Sequence, residues 1–96
     1  MKLDINKGVE EYKVTPNAIL LDVRTVEEYN EGHIKGSINW PLDQIEKVNY
    51  PKDTPLFVHC RSGRRSEEAK EILLELGYKK VKNIGGILDY TGEIEK

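Results

Sequence analysis

Apolar and polar positions along the chain fall into short alternating blocks. Ala18 to Val23 is a nearly continuous apolar run, interrupted by Asp22 and followed by Arg24. Such a run predicts a strand buried on both faces. Thr25 then stands as an N-cap with Glu28 three residues on, a capping-box pattern. It predicts a short helix through Tyr29 and Asn30 that stops at Gly32, an αL residue. Gly36–Ser37–Ile38–Asn39 predicts a short strand, and Pro41–Leu42 opens a helix through Ile45 and Val48. Asn49 to Pro55, with Pro51 and Asp53 between, is a loop. Leu56–Phe57–Val58–His59 predicts a second buried strand. Ala69, Ile72, Leu73 and Leu76 recur at helical spacing on one apolar face. That helix follows Ser66, carries Glu67 and Glu68 in its early turns, where acids suit the macrodipole, and ends at Gly77. Val81 to Ile84 predicts a third strand, followed by Gly85–Gly86. The polar tail from Asp89 onward is expected to fray. Strands alternating with helices predict an α/β fold with a mainly parallel sheet.

Composition narrows the classes. With 96 residues the chain is expected to be one domain, residues 1–96. Apolar residues are 38% and charged residues 33%, so a core and a solvated surface are both available. The 15 basic and 17 acidic residues leave a net charge of −2, which argues against nucleic acid as a partner. The longest apolar run, Ala18–Ile19–Leu20–Leu21, is far too short to span a membrane. The N-terminal stretch Met1–Lys7 has no apolar leader core. Cys60 is the only cysteine, so no internal disulfide forms, and with two histidines it makes a poor zinc set. No metal and no cofactor are expected, and the cytoplasm is the expected compartment.

The chemistry concentrates between Val58 and Ser66. A strand ends, Cys60 follows, a short loop contains Gly63, and a helix begins. This order turns backbone N–H groups into a concave anion-binding loop at a helix N-terminus. Arg61, Arg64 and Arg65 add three positive charges, so the remainder of the chain sums to about −5. Helix N-termini and cationic neighbours lower a thiol pKa, and Cys60 is read as a thiolate nucleophile for an anionic substrate. A lone cysteine is more often a small buried hydrophobe. Three arginines crowded around it argue for the reactive role. His59 reads as a structural residue facing the interior.

Three stretches then carry a resemblance to rhodanese-like domains. Leu21–Asp22–Val23–Arg24 is followed by Glu27–Glu28–Tyr29. Gly32–His33–Ile34–Lys35–Gly36–Ser37–Ile38–Asn39 is similar to the family's G-H-I-x-G-A-x-N signature, with Ser37 for the usual Ala. Cys60–Arg61–Ser62–Gly63–Arg64–Arg65–Ser66 resembles the family's C-x-x-G-x-R-S loop. Gly85–Gly86 fits the late Gly-Gly; where a Trp often follows that pair, Tyr90 is the nearest aromatic. The resemblance covers nearly the whole chain.

The resemblance implies a three-layer α/β fold and a thiosulfate sulfurtransferase. Cys60 would take the outer sulfur of a small anionic donor as a persulfide and pass it to cyanide or a thiol. Backbone N–H groups from Arg61 to Ser66, including Ser62, would hold the persulfide and the donor's oxyanion. Arg65 matches the motif arginine and should face the pocket; Arg61 and Arg64 would attract and orient the donor. Gly63 allows the tight turn, and Ser66 orders the loop or the helix start. Asp22 and Arg24, at the carboxyl end of a neighbouring strand, would support the loop. His33 is expected to bond backbone near the helix exit, and Trp40 to sit in the core or at the pocket rim. A sulfur-relay protein is a further expected partner.

Two other classes compete. Tyrosine phosphatases use a C-x5-R loop, with the arginine six residues after the cysteine, whereas here Ser66 holds that place and Arg65 stands five residues on. The shorter loop favours sulfane sulfur over phosphate or arsenate. A persulfide carrier or interaction module serving a partner enzyme uses the same cysteine chemistry, so the residues alone leave it open.

Overall fold

The computed structural model describes residues 3–96. Four strands form the central sheet: β1 (Ile19–Asp22), β3 (Ile38–Asn39), β4 (Leu56–Cys60) and β5 (Val81–Gly86), all parallel and in the order β3-β1-β4-β5. The short strand β2 (His33–Ile34) lies outside this sheet. Helix α2 (Val26–Glu31) follows β1, and a 3-10 helix (Leu42–Lys47) follows β3. Helix α3 (Arg64–Glu75) connects β4 to β5.

Side chains alternate across the sheet, and each face has its own core. Leu21, Leu56, Val58 and Cys60 face α3 and the 3-10 helix, packing with Ile45, Ala69, Leu73 and Tyr78. Leu20 and Phe57 face the other way and pack with Ile5, Val9, Ile34 and Ile84. The sheet between two covered faces makes the three layers, and the α/β fold with a mainly parallel sheet stands.

Several boundaries differ from those predicted. Helix α1 (Ile5–Val14) builds one outer layer and has no counterpart among the predicted elements. Asp4 caps it, accepting from the Asn6 and Lys7 amides. Only Ile5 and Val9 supply buried apolar side chains, and Gly8 lies between them. A Cβ on Gly8 would overlap the Ile84 side chain, so this glycine sets the close approach of α1 to β5. Helix α3 starts at Arg64, inside the cysteine loop rather than after Ser66. Leu76, predicted on its buried face, is 38% exposed at the helix end. Gly32 ends α2 at φ 155°, ψ 133°, a glycine conformation but not αL.

The tail is the other correction. Rather than fraying, Ile94–Glu95 forms β6, which pairs antiparallel with β2. Asn6 ties down the same segment: its side chain donates to the Asp89 carbonyl and accepts from the Thr91 amide. Among the described residues no helix is long and apolar enough to cross a membrane.

Candidate active site

Strand order reverses direction between β1 and β4, since the chain leaves β1 towards β3 on one side and β4 towards β5 on the other. In an open parallel sheet the crevice outside the carboxyl ends at such a point is where ligands bind. The residues after β4 are Arg61, Ser62 and Gly63, and they lead directly into α3. Gly63 is the N-cap of α3 at φ 104°, a left-handed conformation that costs other residues strain. The turn it makes aims amides at Cys60. The Gly63 amide donates to Cys60 Sγ at 3.0 Å, and Ser66 Oγ stands 3.4 Å from the same sulfur.

These donors set the acidity of the thiol. Burial works against the thiolate, but the Ser66 hydroxyl and the Ser66, Gly63 and Ser62 amides outweigh it, and the Cys60 pKa is lowered. The sequence reading credited helix N-terminus and arginines together. The amides of that helix start and one hydroxyl are the groups that bond the sulfur, and Arg65 meets it only through its charge. Cys60 itself has no exposed surface, beneath the exposed Arg61, Ser62 and Arg64.

Ser66 has one proton and two acceptors. Its Oγ also lies 2.7 Å from Asn83 Oδ1, which accepts the Gly85 amide as well. Asn83 Nδ2 donates to the Gly63 carbonyl and to Glu67, which fixes which end of the amide faces Ser66. One proton cannot serve both acceptors at once, so the Ser66 hydroxyl is shared between Cys60 Sγ and Asn83 Oδ1. Asn83 escaped the sequence reading. Its signal was a polar residue within the predicted strand Val81–Ile84, where Lys82 is polar as well. A register shift opposite Val58 and His59 marks a bulge at this point of β5.

Gly86, visible in the sequence only as half of the late Gly-Gly pair, is the second. A Cβ there would overlap the Arg61 carbonyl and lie 2.5 Å from Ser62 Cα. The loop packs directly on the β5 backbone, and the Leu88 amide donates to the Arg61 carbonyl at 3.2 Å.

The third is Glu28, which the sequence marks as a capping residue and as part of the Glu27–Glu28–Tyr29 stretch but not as a partner of the loop. It does close the capping box on Thr25. It also grips Arg65 with both oxygens, at 2.6 and 2.9 Å, and the Arg65 guanidinium holds its pKa down at about 2. Arg65 is half-buried at the pocket wall, with its charge matched by Glu28, while Arg61 and Arg64 are exposed.

Asp22 and Arg24 are drawn together rather than towards the loop. Arg24 Nε and Nη2 donate to the Asp22 carboxylate at 2.7–3.0 Å, and Nη2 also reaches the Gly32 carbonyl. Both are buried. His59 lies in the interior beside them, donating from Nδ1 to the Cys60 carbonyl at 3.2 Å. Its Nε2, 3.8 Å from Asp22, is the one buried side-chain N or O without a hydrogen-bond partner among the described residues. Burial keeps this imidazole neutral. His33 Nδ1 donates to the Tyr29 carbonyl, and Trp40 packs against the core, donating to the Tyr50 hydroxyl. Among the described residues no cluster of three or more metal-ligating side chains occurs.

The chain is similar to known proteins over most of its length. The rhodanese-like domain family matches residues 4–93. The thiosulfate sulfurtransferase PspE of Escherichia coli is 42% identical over 73 residues, covering 72% of this chain and 70% of that one. The putative sulfur carrier protein YrkF of Bacillus subtilis is 40% identical over 79 residues, though the chain spans only 43% of its length. A solved structure of an E. coli rhodanese with anions superposes with a TM-score of 0.75 at 37% identity, covering 82% of this chain and 98% of that one. A cysteine at the focus of a strand-to-helix loop, together with this likeness across nearly its full length, makes the chain a member of the rhodanese-like domain family, whose matched relatives include sulfurtransferases.

Proposed function

We propose that the protein moves sulfane sulfur from thiosulfate through a Cys60 persulfide to cyanide or a thiol. The observation that carries this reading is the set of donors converging on Cys60 Sγ at the start of α3. The thiolate attacks the outer sulfur of thiosulfate. An S–S bond forms to Cys60, the donor's own S–S bond breaks, and sulfite leaves with the electron pair. Cyanide or a thiolate then attacks the outer sulfur of the persulfide and releases the Cys60 thiolate. Each step moves charge between sulfur atoms inside the same ring of N–H groups, where fixed dipoles stabilise it without reorganising.

The remaining residues support these steps. Arg61 and Arg64 draw the dianionic donor to the loop mouth, and the Ser62, Gly63 and Ser66 donors hold the charge on sulfur. Arg65, fixed by Glu28, shapes the wall. The Asp22–Arg24 pair keeps the carboxyl end of β1 in register with the loop. The 96 residues act as one unit, and a thiolate with no disulfide partner suits a reducing compartment such as the cytoplasm.

A second reading is a persulfide carrier that accepts sulfur from one protein and hands it to another. The likeness to YrkF and the absence of a second cysteine to resolve the persulfide within the chain favour it. The two are separated by following thiocyanate release with thiosulfate and cyanide. Sustained turnover that vanishes in Cys60→Ser supports the sulfurtransferase. Slow charging by thiosulfate with fast charging by a persulfidated protein supports the carrier, and no charging by either donor overturns both.

A further inference from the structure

A groove of about 460 Å³ runs beside the cysteine loop, within the range of small-ligand sites. Its apolar lining comes from Val23, Pro41, Leu42 and Ile72. Asp43, Glu46 and Glu68 bring three carboxylates to the same groove. A second depression, lined by Ser62, Arg64, Arg65 and Glu68, shares Arg65 and Glu68 with it, so the groove adjoins the surface of the cysteine loop.

The charges of the groove are uncompensated. Among the described residues Arg65 is the only cation lining it, and Glu28 already takes that charge with two hydrogen bonds. Among the described residues Asp43, Glu46 and Glu68 form no ion pair, and all three are exposed. The loop mouth is the opposite, with Arg61 and Arg64 exposed and likewise outside any ion pair. Two neighbouring surfaces of opposite sign thus meet at Arg65. An anionic sulfur donor is attracted to the arginine side and repelled by the groove. The ligand suited to the groove carries an aliphatic stem for its apolar lining and a positive charge for its carboxylates.

We infer that this groove is the acceptor subsite and selects small aliphatic thiols bearing a cationic group. The inference rests on the sulfur-transfer reading of Cys60. With its ammonium held between Asp43, Glu46 and Glu68, such a thiol presents its sulfur towards the loop mouth. Its thiolate attacks the outer sulfur of the Cys60 persulfide; the Cys60–S bond breaks, Cys60 keeps the electron pair, and the thiol leaves as its own persulfide. Separate subsites of opposite charge allow donor and acceptor to be discriminated by field alone.

The test loads Cys60 with sulfur from thiosulfate and measures discharge by cysteamine, 2-mercaptoethanol and 3-mercaptopropionate, with rates divided by thiolate concentration. The expected order is cysteamine, then mercaptoethanol, then mercaptopropionate, with a several-fold spread at low ionic strength that shrinks on adding salt. In the double variant Asp43→Asn, Glu46→Gln the cysteamine-to-mercaptopropionate ratio should fall towards one; because the ratio is read within each protein, any change in overall rate cancels. Equal rates in the parent protein, or a ratio unchanged in the variant, overturn the inference. Cyanide, too small to need the groove, serves as the control acceptor: if it too fails to discharge Cys60, the sulfur-transfer reading falls. The groove is then judged by amide NMR shifts alone. n-Butylammonium should move residues 42–46 and 65–72 while butyrate does not, and a lack of ammonium response rejects the site.

Discussion

At Cys60 the balance between burial and hydrogen bonding decides the chemistry. Burial opposes charge on the sulfur, and three amides and a hydroxyl restore it. Ser66 is the removable part of that set. Ser66→Ala should raise the pH at which Cys60 reacts with iodoacetamide by about one to two units, since a hydrogen bond to a charged group contributes about 1.5–3 kcal/mol. An unchanged midpoint would mean that the amides alone hold the thiolate. The arginines act differently. Arg65→Ala should weaken thiosulfate use much more than Lys70→Ala on the same helix, and equal effects would remove any specific role for Arg65. The loop and its cysteine could be read from residue order, because strand, cysteine, glycine and helix start are adjacent in sequence. The Glu28 grip on Arg65 could not, since it joins residues 37 apart that only the fold brings together.

At the scale of elements, the loop depends on β5 as much as on α3. Gly86 leaves room for the Arg61 and Ser62 backbone to lie on the strand. Gly86→Ala should push the loop away and lower the rate of Cys60 charging by about 100-fold, the order expected for a displacement near 1 Å. The fold should survive, and a variant charging at the parent rate would contradict the packing argument. This dependence was visible in sequence only as a glycine pair. The strands β1 and β4 were plain because buried parallel strands are continuous apolar runs. Helix α1 was hidden for the opposite reason: two buried side chains and a glycine leave little periodic signal, and its stability comes from packing on Ile84. The pairing of β6 with β2 was hidden because the two partners lie some sixty residues apart and the tail is polar.

For the whole molecule, buried and paired titratable groups couple folding to pH. His59 is held neutral when folded and takes up a proton when unfolded below its ordinary value of 6.5. The unfolded state then binds more protons, so stability falls as pH drops below about 6.5. Glu28 adds a second limb. Its pKa is lowered from 4.5 to about 2, so its contribution is present above 4.5 and is lost as pH falls towards 2. Urea unfolding from pH 8 to pH 3 should show both limbs, with the upper one missing in His59→Gln; an identical upper limb in that variant would remove His59 from the account. All of this scaffolding serves one sulfur atom. The most direct test is the intact mass of the protein after incubation with thiosulfate, beside Cys60→Ser. A gain of one sulfur atom in the parent only, removed by cyanide with release of thiocyanate, is the predicted result. A parent protein that gains no mass from thiosulfate or from a persulfide donor, or a Cys60→Ser protein that gains the same mass, would contradict it.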